Sequence, residues 1–328
     1  MVQVPEKIFV RYPADGSTGL LTEHVNQLLQ DQNTTWSQLR DGYASLRSAQ
    51  TRTVECDGFS VVLQFNPARI VSTGAKVDER SIRERKCFLC LQNLPAAQKG
   101  VLFQEQFLIL CNPAPIFDRH FTIAHREHRQ QAIDGSVGTL LDLARELPGH
   151  TVFYNGPRCG ASAPDHLHFQ ACPSGSIPVE RDSVGAQYRS SHKTQSNVAW
   201  WTLKNYGRQV LVLESEDRQE LESAFLQLLA AMKRVLKQSD EPMINILCFF
   251  TESRWKMIVF PRSKHRPDAY FKEDPERILI SPAAADIGGF IVTPVEKDYR
   301  VVDAALVESI FREVSLDHTA VDQILHTL

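Results

Sequence analysis

Apolar residues recur at helical spacing through residues 18–49, where Leu20, Leu21, Val25, Leu28 and Leu29 share a face and Leu39 and Leu46 extend into a second segment. The same periodicity is clearest over residues 216–237, where Leu221, Phe225, Leu228, Leu229, Met232, Val235 and Leu236 make one apolar stripe. Shorter helical patterns cover 137–147 and 303–313. Strand-like runs occupy residues 57–65, 101–111, 200–203 and 209–213, and residues 151–154 are extended. Residues 174–199 are rich in Ser and charge and poor in apolar side chains, which predicts a long loop or lid on the substrate side. Strands and helices are mixed, so the expected class is α+β with an antiparallel sheet.

The most informative alternation is His166-Leu167-His168-Phe169-Gln170. On a strand, successive side chains point to opposite faces, so His166, His168 and Gln170 would line one face and Leu167 and Phe169 the other. A neutral imidazole can attack phosphorus, and its neighbours can donate hydrogen bonds to charged oxygens. A half-buried strand with solvent-facing histidines is the alternative for a lone His-x-His. Before it, Tyr154-Asn155-Gly156-Pro157-Arg158-Cys159-Gly160-Ala161-Ser162 supplies a loop of small residues. Free amides in such loops bind anions, although Asn-Gly is also an ordinary turn signal.

Composition narrows the partners. With 328 residues, 43% of them hydrophobic and 23% charged, the chain reads as an ordinary globular protein with a sizeable core. A net charge of −3 gives no broad surface for nucleic acid. Basic residues instead cluster at Arg83, Arg85 and Lys86, at Arg126 and Arg129, and at Arg262, Lys264 and Arg266, where they could meet the phosphates of a small nucleotide or form solvated turns. No apolar stretch is long enough to cross a bilayer, and Met1–Lys7 lacks the form of an export signal. Seven cysteines, an odd count, argue for a reducing, cytoplasmic setting rather than a disulfide framework.

Asp-His-Leu-His-Phe-Gln-Ala, residues 165–171, resembles the active-site segment of the histidine-triad (HIT-like) superfamily. The likeness is to the branch of GDP-L-galactose phosphorylase, diadenosine tetraphosphate phosphorylase and galactose-1-phosphate uridylyltransferase, in which glutamine replaces the last histidine. Asn112-Pro113-Ala114-Pro115 with His120–Arg129, and the Asn66-Pro67-Ala68-Arg69 stretch, follow in the family order. Residues 245–266 and 281–292 resemble the second half of the phosphorylases, and 120–129 and 255–266 echo each other. The resemblance implies a HIT-like antiparallel sheet with flanking helices in a duplicated architecture. An N-terminal helical segment (1–50) would precede a catalytic half (51–195) and a second half without a nucleophile (196–328). His168 would be the residue that becomes nucleotidylated, and Gln170 would bond the phosphoryl oxygens. Asn66, Arg69, Asn155 and Ser162 are candidate substrate contacts.

Cys87-Phe88-Leu89-Cys90 is a pair that can grip one zinc ion from a tight turn. A redox motif, or two structural thiols without metal, are the alternatives. Zinc needs two further ligands, and the resemblance to uridylyltransferases implies Cys87, Cys90, His128 and His166, with His125 competing for the third place. GDP-L-galactose phosphorylases lack these cysteines, so the chain combines features of two subfamilies. The expected activity is a nucleotidyltransferase or phosphorylase that cleaves a nucleoside diphosphate sugar or dinucleoside polyphosphate through a nucleotidyl-histidine. A hydrolase on the same scaffold and a non-catalytic nucleotide-binding protein are the alternatives. Expected partners are a nucleotide or nucleotide-sugar substrate and a second copy in a homodimer, with no nucleic acid and no membrane.

Overall fold

The computed structural model describes residues 4–13, 20–70, 74 and 78–328. Residues 1–3, 18 and 19, which entered the export and helix readings, lie outside the described residues. The strands are β1 (Ile8–Tyr12), β2 (Gln50–Cys56), β3 (Phe59–Phe65), β4 (Gly100–Phe103), β5 (Phe107–Cys111), β6 (Phe121–His125) and β7 (His150–Asn155). They continue with β8 (His168–Pro173), β9 (Arg189–Gln195), β10 (Val198–Leu203), β11 (Leu211–Ser215), β12 (Ile244–Thr251), β13 (Arg254–Pro261) and β14 (Phe290–Thr293). Among the described residues, eleven form one sheet in the order β1-β4-β5-β6-β8-β7-β12-β13-β11-β10-β9, and β14-β3-β2 form a second. β1–β4 and β14–β3 pair in parallel, while the strands around the site pair antiparallel. The class is α+β, as the pattern predicts.

The helices follow their apolar stripes. In α1 (Leu21–Thr35), Leu21, Val25 and Leu28 are buried at spacings of four and three. α2 (Ser37–Arg47) and α3 (Val137–Glu146) follow in chain order. α4 (Arg218–Val235) starts where the Asp217 carboxylate accepts hydrogen bonds from the Gln219 and Glu220 amides at 2.8 and 3.0 Å. Such a cap satisfies amides that have no partner inside the helix. α1, α3 and α4 contribute to one hydrophobic core together with β5, β8, β12 and β13.

The strand order is repeated. From the outside inwards the first half reads β4-β5-β6-β8-β7, and the second reads β9-β10-β11-β13-β12. Each half has a hairpin, a third strand, a helix (α3 or α4), then two strands of which the later inserts beside the third. β7 and β12 join the halves through Asn155↔Asn245 and Phe153↔Leu247. By this order the counterpart of β13 is β8. The echo between 120–129 and 255–266 therefore aligns strands that occupy different places. One row of directly opposed residues crosses the sheet: Thr122, Gln170, Phe153, Leu247, Ile258 and Val212. It is polar at β6 and β8, and apolar and buried from Phe153 onward. The face that carries Gln170 is thus filled with packing side chains in the second half.

Three expectations need correction. Residues 101–111 are a hairpin, not one strand, because Gln104 and Glu105 both adopt positive φ (48° and 55°). That is the tight turn whose twist matches paired strands, reached without the usual Asn-Gly. Residues 174–199 are not a lid. They hold a helical turn at Pro178–Asp182 and β9, which pairs with β10 through a second such turn at Ser196 and Asn197. β9 lies six strands from β8, roughly 29 Å at 4.7–4.9 Å per strand. Finally, β8 begins at His168, and His166 lies in the turn before it. The alternation therefore does not reach His166, whose ring does not share a face with His168 and Gln170.

Candidate active site and metal centre

β8 is held between β6 and β7, with Ala124↔His168 on one side and Phe153↔Gln170 on the other. Phe169 packs into the core, which turns His168 and Gln170 to the opposite face. They open into a cavity of about 780 Å³. Arg69, Asn155 and Ser162 line it, together with Arg266 and Asp286 from the second half. Leu89, Leu94 and Leu110 supply an apolar part of its wall.

His168 is 3% exposed, so it is reached only through this cavity. Its Nδ1 lies 2.8 Å from the His166 carbonyl oxygen. A carbonyl only accepts, so Nδ1 carries the proton and Nε2 keeps a lone pair. Burial, the largest influence, pulls the His168 pKa down to about 4, and the ring is neutral at pH 7. The backbone is also held: the His168 amide donates to Gln131 Oε1 at 2.8 Å, and Gln131 Nε2 donates to the Asn155 carbonyl (2.8 Å) and the His168 carbonyl (3.1 Å).

Gln131 is a residue that sequence reasoning missed. It sits in an irregular stretch after β6, outside any periodic pattern or motif, and only the fold places it across β7 and β8. Gln131→Leu would leave an amide and two carbonyls buried without their partner. Each such group costs about 1–3 kcal/mol. The variant is expected to unfold at distinctly lower denaturant concentration. Wild-type stability in a urea titration would show that the brace carries no weight.

The candidate substrate contacts divide. Arg69 lines the cavity and donates to the Ala114 carbonyl at 2.6 Å, fixing the 112–116 loop. The Asn155 side-chain oxygen accepts from Asn245 Nδ2 (2.9 Å) and from the Ala284 amide (2.7 Å), so it ties the cavity wall to the second half. Ser162 is exposed at the lining. Asn66 does not line the cavity. It is 1% exposed, with its Nδ2 3.5 Å from the Pro115 carbonyl, because β3 ends there and turns its side chain under the loop. Of the basic clusters, Arg85 and Arg266 line the cavity. Arg262 is buried and holds Asn245 Oδ1 and the Val314, Pro282, Lys264 and His265 carbonyls. Arg126 and Arg129 instead pair with Glu105 and Glu127.

Beside β8, the ligand atoms of Cys87, Cys90, His128 and His166 lie within 4.8 Å of one another. Cys90 closes a tight turn by donating its amide to the Cys87 carbonyl (3.3 Å), and Asn93 Nδ2 bonds the same carbonyl (2.8 Å). His166 Nδ1 is 3.2 Å from Cys87 Sγ and 3.6 Å from Cys90 Sγ, and His128 Nδ1 is 3.2 Å from Cys90 Sγ. Ligands about 2.0–2.3 Å from a tetrahedral ion stand at similar separations. His166 Nε2 donates to the His125 carbonyl at 2.7 Å, which leaves the Nδ1 lone pair facing the thiols. That is the tautomer a metal ligand needs. The four residues therefore fit a metal ion. His125 does not compete: its Nδ1 accepts from the Glu127 amide at 3.0 Å, and its ring packs edge-on against Phe107.

Comparison with known proteins follows this geometry. Residues 28–173 match the family model of a domain of unknown function (DUF4922), and residues 178–327 match that of the GDPGP1-like C-terminal domain. A search of curated proteins found no match. Among solved structures, yeast Ap4A phosphorylase Apa2 in complex with AMP superposes with a TM-score of 0.58 at 17% identity, covering 89% of this chain and 96% of that one. The same enzyme in complex with Ap4A gives 0.58, 17%, 89% and 97%. The shared fold thus runs through both halves. No helix among the described residues is long and apolar enough to cross a membrane. The C-terminal part of the chain is thus similar to the GDPGP1-like C-terminal domain, and the chain as a whole shares the fold of Ap4A phosphorylase.

Proposed function

We propose that this chain cleaves a nucleoside diphosphate sugar or a dinucleoside polyphosphate by double displacement through His168. The observation that carries this reading is the neutral His168 ring, oriented by the His166 carbonyl and opening with Gln170 into one large cavity. Its volume is in the upper part of the range for small-molecule sites, roughly 300–1,000 Å³. His168 Nε2 attacks the α-phosphorus, and the bond from that phosphorus to the bridging oxygen breaks. The leaving phosphate compound departs with that oxygen and its electron pair. An oxygen of inorganic phosphate then attacks the same phosphorus, the P–N bond breaks, and Nε2 regains its lone pair. Because Nδ1 is already bonded to a carbonyl, positive charge arising on the ring in the intermediate is met without reorientation.

Gln170 donates to the phosphoryl oxygens, whose charge and geometry change most in the transition state. Gln170→Ala is therefore expected to lower kcat by about 10²–10³ with little change in KM. A raised KM with unchanged kcat would reduce Gln170 to a substrate-holding role. Cys87, Cys90, His128 and His166 would hold zinc, which supplies a rigid structural anchor beside β8. The test of the whole reading is incubation with a panel of nucleotide sugars and dinucleoside polyphosphates, with and without phosphate, followed by intact-mass measurement. A nucleotidyl adduct discharged by phosphate is expected. Discharge by water alone would make the protein a hydrolase, and absence of any adduct across the panel would remove the covalent mechanism.

A further inference from the structure

We propose that His120 is a positioning residue that sets which end of the Gln170 carboxamide faces the cavity. The proposal rests on the role given to Gln170 above and adds the group that makes that role possible. His120 stands just before β6, and Thr122 of that strand is directly opposite Gln170. Two residues along an extended chain share a face, so the His120 ring lies on the Gln170 side of the sheet. It is 1% exposed, stacked against Phe153 and edge-on to Phe117.

Both ring nitrogens are engaged. Nδ1 is 3.3 Å from the Ile116 amide, which can only donate. Nδ1 must therefore be the acceptor, and in a neutral imidazole Nε2 then carries the proton. Nε2 is 2.9 Å from Gln170 Oε1, which can only accept. Burial and the charge of Arg69 disfavour the imidazolium and pull the ring's pKa down to about 3, so this donor–acceptor pattern holds at neutral pH. A carboxamide turned by 180° has nearly the same shape but opposite polarity. With its oxygen outward it would repel a phosphoryl group; with its NH₂ outward it donates. The chain Ile116 N–H to His120 Nδ1, then His120 Nε2–H to Gln170 Oε1, admits one of the two. His120 touches no reacting atom in this scheme and acts only through Gln170.

Two measurements on the full-length protein test the proposal. In ¹⁵N-histidine-labelled protein, long-range ¹H–¹⁵N correlation spectra should show the His120 ring, identified by its loss in His120→Gln, protonated at Nε2 and bare at Nδ1. An Nδ1–H tautomer or a charged ring overturns the proposal. In kinetics with a panel substrate and inorganic phosphate, His120→Leu should lower kcat by about 10–100-fold with KM little changed. His120→Gln, which keeps a donor near the Nε2 position, should recover most of that loss. In a Gln170→Ala background both substitutions should be silent. Losses that simply multiply with that of Gln170→Ala, or a Gln variant as slow as the Leu variant, would leave His120 a mere packing residue. If Gln170→Ala itself keeps full kcat while the tautomer is as expected, the role given to Gln170 fails and the proposal fails with it.

Discussion

His168→Ala protein is expected to fold, to bind nucleotide, and to turn over at least about 10³-fold more slowly than wild type, as when a covalent nucleophile is removed. The fold should survive because little of it depends on the ring. The substitution removes the 2.8 Å contact from Nδ1 to the His166 carbonyl, while the hydrogen bonds of the His168 backbone to Gln131 are retained. One lost hydrogen bond costs about 1 kcal/mol, against a core that spans both halves of the sheet. Turnover should collapse because the substitution removes the ring that forms the proposed nucleotidyl bond. His168→Gly leaves a hollow at the cavity wall, and added imidazole is expected to restore part of the activity. Intact mass should show no nucleotidyl adduct on either variant. If His168→Ala retains more than a few percent of wild-type kcat, double displacement through this residue is wrong.

Purified protein should contain about one equivalent of zinc, held by Cys87, Cys90, His128 and His166. Cys87→Ser, Cys90→Ser, His128→Ala and His166→Ala should each lose it. Metal binding is coupled to folding, so losing the ion removes stabilisation from the native state alone. A loss of a few kcal/mol corresponds to a Tm lower by roughly 5–15 °C for a chain of this size. His166 would link such an ion to the proposed chemistry: its ring faces the thiols while its carbonyl lies against His168 Nδ1. Metal-depleted protein should therefore lose turnover as well as stability. Elemental analysis of protein purified without chelator, together with thermal melts of Cys87→Ser, decides the matter. Protein free of transition metal whose Cys87→Ser variant melts as wild type would end the zinc assignment, and His166 would remain a hydrogen-bonding residue of the site.

Much of the fold was legible along the chain. The stripes of α1 and α4, the core-facing Phe169 and the mixture of strands and helices follow from hydrophobic period alone, because a periodic apolar face must be buried. The order of short motifs pointed to His168, Gln170 and the Cys87–Cys90 pair. Turns without the Asn-Gly pair were not legible. Gln104 and Glu105, and Ser196 and Asn197, adopt positive φ because the paired strands on either side require it, so the hairpin at 101–111 was read as one strand, and β9 of the second hairpin was read as part of a loop that ended where the strand at 200–203 began. The face of His166 was misjudged because alternation holds only within a strand, and β8 starts two residues later. Asn66 was placed with the substrate on its motif, whereas the fold turns it beneath the 112–116 loop. Gln131, and the contact between His120 and Gln170, exist only once β6, β7 and β8 are side by side. Local sequence can state which residues are able to ionise, donate or pack; which atom each one meets is decided by tertiary pairing, because those partners lie 37 and 50 positions away along the chain.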